Sequence, residues 1–184
     1  MLEISADHPL RRLFAGWTEH AFQVSLGIAD PPLVDYVSGL LTRFLHMDAI
    51  YRGRDRQRAP LEQVVEMLDE ADALPSGGRT QREVYRHIGD FTLFWTGLYP
   101  EAVSRYRSIG SRDVFVSYCE SGKRSYEIAS CYVDDTCEQE SAVLRRLSQE
   151  FELCAFGLSH IRKEWEQLAP ESAQAFRGKI LGWN

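Results

Sequence analysis

No stretch of this chain stays apolar for long. The most apolar window, Phe91 to Tyr99, is about half of the twenty or so residues that a bilayer-crossing helix needs, so no membrane span is expected. Cysteine is sparse. Cys119, Cys131, Cys137 and Cys154 are too irregularly spaced for paired Cys-x-x-Cys motifs, and they read as four free thiols of a reducing compartment. Basic charge is short as well: 21 Lys and Arg stand against 27 Asp and Glu, for a formal charge of −6. That balance opposes adsorption to polyanions, so nucleic acid is not an expected partner. The opening residues, Met1 to Leu10, lack a basic stretch followed by an apolar one; export is not expected, and a cytoplasmic location is. Also missing are a glycine-rich phosphate loop after a strand, a nucleophile elbow, an internal repeat and a low-complexity segment.

What the chain does have is helical periodicity in segment after segment. Leu10, Leu13, Phe14, Trp17, Ala21, Val24 and Ile28 recur at steps of three and four, which stacks them on one side of a helix from Pro9 to about Ile28. Asp30-Pro31-Pro32 supplies a cap and a first-turn proline for a second helix reaching about Tyr51. A loop of alternating arginines, Arg52, Arg54, Arg56 and Arg58, leads to a shorter helix from Pro60 through Leu74. After the break at Pro75-Ser-Gly-Gly, Thr80 offers a cap for a fourth helix over about Gln81 to Leu98. This helix is apolar on two sides, with Leu93 opposite the stripe of Val84, Ile88, Phe91, Trp95 and Leu98, which predicts burial on both.

Pro100 opens a short turn of helix ended at Ile109-Gly110. The stretch Asp113 to Cys119 could alternate as a strand, but the window from Arg112 to Val133 keeps the helical step. One long rod is predicted from Glu138 to Leu168, with a last short helix from Glu171 to about Leu181. The expectation is an all-α, single-domain helical bundle of about six to eight helices over residues 1–184, with its central buried helix near 81–98.

Chemistry-bearing residues cluster around that central helix. A carboxylate among apolar neighbours must be paired, hydrogen-bonded or protonated, so Asp90 needs a partner. It faces an arginine such as Arg86, or caps a local helix break after Gly89; in the functional alternative it forms a ligand-binding or acid/base pair with His87. Tyr85 and Trp95 would complete a polar pocket around these two. His160 and Glu164, four apart on the long helix, could face His87 and Asp90 to hold iron, manganese or zinc, but no Glu-x-x-His pair supports that, and no metal or cofactor is assigned. Leu153, Phe156 and His160 lie off the main apolar stripe. Such a second patch marks a subunit interface, or a surface covered by Phe176 and Ile180 of the last helix. The arginine run could bind a phosphate, although Asp55 within it favours a solvated loop.

The segment Gly89-Asp-Phe-Thr-Leu-Phe-Trp-Thr-Gly-Leu-Tyr-Pro-Glu101, with Leu33-Val-Asp-Tyr-Val-Ser-Gly-Leu-Leu-Thr-Arg-Phe-Leu45 before it, resembles a bacterial all-helical family of unassigned function. The resemblance spans about residues 30 to 130 and concerns core-type positions. It implies a bacterial origin and carries over no catalytic residue. With no catalytic motif in the chain, the expectation is a non-catalytic domain acting through protein contacts, as a homo-oligomer such as a homodimer or as an adaptor. The competing expectation is a helical-bundle enzyme or small-molecule binder using Tyr85, His87, Asp90 and Trp95.

Overall fold

The computed structural model describes residues 9–50, 60–104, 112–132, 138–171 and 174. Among them every regular element is helical and none is a strand, so the chain is all-α. The helices are α1 (Pro9–Glu19), α2 (Pro31–Ile50), α3 (Pro60–Ala73), α4 (Arg79–Leu98), α5 (Pro100–Ser104), α6 (Arg112–Cys131), α7 (Glu138–Gln149) and α8 (Phe151–Leu168), with a π-helical segment, His20–Ser25, after α1. The strand-like stretch 113–119 is helical and belongs to α6. The arginine run 52–58, Cys137, Phe176, Ile180 and most of the expected last helix lie outside the described residues. Contacts gather in two compact units, one taking the chain to Gln57 together with the chain from Phe156, the other Arg58–Ala155.

In the first unit, Asp30 caps α2 as the sequence suggests: Leu33 N–H donates to its Oδ1 at 3.2 Å and Val34 N–H to its backbone oxygen at 3.0 Å. Behind that cap α2 buries Leu33, Val34, Val37, Leu40 and Leu41, each worth about 1.5–3 kcal/mol against exposure. Phe14 of α1 meets Trp17 and Trp165 edge-on, with ring centroids 5.7 and 5.9 Å away. The expected single helix to Ile28 is not continuous α-helix. Beyond Glu19 the turns widen, Leu26 N–H donating to Ala21 O at 3.1 Å and Ile28 N–H to Phe22 O at 2.8 Å, and Gly27 closes the segment at φ 68°. Within this segment the ring of Phe22 packs over Gly157 of α8, in the place of a side chain.

In the second unit α4 is the central element, with twelve of its twenty residues buried, including Ile88 and Leu93 on its two apolar sides. It packs on α3, α5 and α6. Two glycines set how closely α4 and α6 approach. A Cβ at Gly89 would lie 2.6 Å from the Tyr126 ring; one at Gly122 would meet Thr92 Oγ1 and lie 2.8 Å from the ring of Phe151. Gly89 is therefore a contact and not a helix break, because α4 runs through it uninterrupted.

Thr80 does not cap α4. The N-cap is Gly78, without a side-chain bond, and Gln81 fastens the preceding turn instead: its Oε1 accepts from Gly77 N–H at 3.2 Å and from the Tyr132 hydroxyl, while its amide donates to Ala71 O at 3.0 Å. The rod predicted from Glu138 to Leu168 is two helices meeting at Glu150. The hydrogen-bond ladder carries across the joint, Glu150 N–H donating to Arg146 O and Cys154 N–H to Glu150 O, both at 2.9 Å. The next residue, Phe151, is fully buried against Gly122 and Tyr126.

Gly122→Ala should destabilise the protein by about 1–3 kcal/mol, because Thr92 and Phe151 must shift to admit one methyl group. Urea denaturation followed by circular dichroism measures it, and an unchanged midpoint would show that the α4–α6 contact is looser than described.

Candidate functional site

The four α4 residues expected to line one pocket point in different directions. Asp90 is 3% exposed, and its Oδ1 accepts a hydrogen bond from the Tyr126 hydroxyl of α6 at 2.9 Å. Tyr85 donates its hydroxyl to Asp72 Oδ1 of α3 at 2.8 Å. Burial, and then this bond to a carboxylate, push the Tyr85 hydroxyl above the ordinary tyrosine value, so it stays a phenol at neutral pH. His87 and Trp95, both half-buried, belong to an aromatic ladder along α4: His87 to Phe91 6.4 Å, Phe91 to Trp95 6.0 Å and Trp95 to Tyr99 6.1 Å between ring centroids. The structure thus brings His87 and Trp95 onto one side and turns Asp90 and Tyr85 towards neighbouring helices.

Arg86 lies in a charged cluster with α7. Its Nη1 donates to Glu140 Oε1 at 2.8 Å and its Nη2 to Glu83 at 2.6 Å, while Arg82 Nη2 donates to Glu140 Oε2 at 2.6 Å and its Nη1 to Glu83 at 3.1 Å. The Arg82 side chain is only 4% exposed while Glu140 and Glu83 keep 30% and 37% of theirs in water, so these are charge-assisted hydrogen bonds at the edge of the core. Burial pulls the Glu140 carboxyl upward, but the bonds and charges of the two arginines outweigh it and leave the group below the usual carboxylate value. Glu140 also lies in the first turn of α7, where a negative charge suits the helix dipole.

Glu164 of α8 has its partner in the first compact unit. Glu164 Oε1 bonds Nδ1 of His20 at 2.9 Å, across 144 positions of sequence. Among the described residues no three His, Cys, Asp or Glu side chains gather as a metal ion would need. His160 sets its ring edge against Phe156, with centroids 4.7 Å apart. Phe156 is 51% exposed and Leu153 39%, whereas His160 is half-buried. Cys119, Cys131 and Cys154 are free thiols. Cys119 lies 3.9 Å from Thr96 Oγ1, and burial pushes its thiol up, the opposite of what a nucleophilic cysteine needs.

Several of these relations carry no signal in the sequence. His20 offers no local partner, and only the fold reveals Glu164. Tyr126 as the partner of Asp90 had a faint signal, since the glycine at 89 leaves room for a ring from a neighbouring helix. No family model matches the chain, and neither a curated protein nor a solved structure matches it. What the arrangement offers chemically is therefore read from these residues alone: Asp90 and Tyr85 tie α4 to α6 and α3, and the outward ring of Phe156 is available for contact.

Two measurements test these assignments. Tyr126→Phe and Asp90→Asn should each destabilise the fold by about 1–3 kcal/mol, with a coupling in the double-mutant cycle that distant residues would not show; additive effects would remove the bond. The second concerns acid. Because the folded Glu140 carboxyl lies below its unfolded value, its stabilisation is present above the unfolded value and is lost as pH falls through the folded one. Glu140→Gln should therefore flatten the decline in melting temperature between about pH 5 and pH 3, and an unaltered decline would place acid sensitivity elsewhere.

Proposed function

We propose that this protein is a non-catalytic helical domain that acts through protein–protein contacts and self-associates through the face of α8 carrying Phe156 and His160. The observation that carries the reading is the outward ring of Phe156, 51% exposed, braced at 4.7 Å by His160 on a fully folded helix. A rigid aromatic side chain presented on a helix loses little conformational freedom on binding and gains much apolar area, which is why aromatics anchor interfaces. The following turns favour a second copy as the occupant. Arg162 is paired with Glu166 within the helix at 2.8 Å and Glu164 with His20 at 2.9 Å, so much of the charge along these turns is neutralised within each chain before two copies would meet.

The competing small-molecule reading has less behind it, because Asp90 and Tyr85 each bond a neighbouring helix and do not converge with His87 and Trp95. No described helix is long and apolar enough to cross a membrane. Together with the buried free thiols of Cys119 and Cys154, this supports a cytoplasmic location as part of the same reading.

Sedimentation velocity over a concentration series should show the wild type shifting toward a dimer. Phe156→Asp should weaken that association about 30-fold or more, as loss of a central aromatic anchor does, without changing the circular dichroism spectrum. A wild type that stays monomeric throughout would overturn the self-association reading.

A further inference from the structure

We draw no further inference here: the strongest candidate, the exposed acidic side of α3 on which Glu62, Glu66, Asp69 and Glu70 accompany Val65, is a surface cluster of carboxylates, and nothing in the structure shows what covers it.

Discussion

The approach of α4 to α6 at Gly89 and Gly122 governs most of what the second compact unit can do. With no side chain at either position, the rings of Tyr126 and Phe151 fill the space, and helix backbones that ordinary side chains would hold apart come together. Dispersion falls off so steeply with distance that contacts of this kind tolerate little adjustment. That proximity brings the Tyr126 hydroxyl to Asp90 and Thr92 beside Gly122. Asp90 consequently belongs to the packing. A carboxylate drawn into such a seam and hydrogen-bonded across it ties the two helices together. The first unit uses the same device once, with Phe22 lying over Gly157.

Much of the architecture was legible in the sequence because helical periodicity survives wherever one face is buried. The caps and breaks at Asp30-Pro31, Pro60, Pro75 and Pro100 fall where residue chemistry places them, and α4 is buried on both of its apolar sides. What the pattern could not show is register within a turn. Leu13, Phe14, Trp17, Ala21 and Val24 read as one helix, yet the chain widens to π-helix at His20, where Ala21 and Phe22 are both fully buried and Phe22 packs over a glycine 135 positions away. The joint at Glu150 escaped for a similar reason: the backbone ladder hardly notices it, and apolar spacing continues through it.

The candidate site was harder to read, since side-chain direction depends on partners that spacing does not encode. Tyr85, His87, Asp90 and Trp95 are close in sequence, but successive helix residues are rotated by about 100°, so four of them within eleven positions can serve different neighbours. Leu153, Phe156 and His160 were recognisable because they departed from the buried stripe, and a departure from periodicity is visible without knowing any partner. Glu140 had no such signal. Its two arginines come from a helix more than fifty positions earlier, and only the packed structure shows that α7 begins against them.

That cluster also bears on how the protein responds to heat. Taking Arg82 and Arg86, and part of Glu140, out of water is costly near room temperature, but hydration of ions becomes less favourable as temperature rises. Over the same range the apolar contribution per unit area levels off. The attachment of α7 to α4 therefore gains relative weight on warming, and this corner of the molecule should resist thermal loosening better than the purely apolar contacts around it.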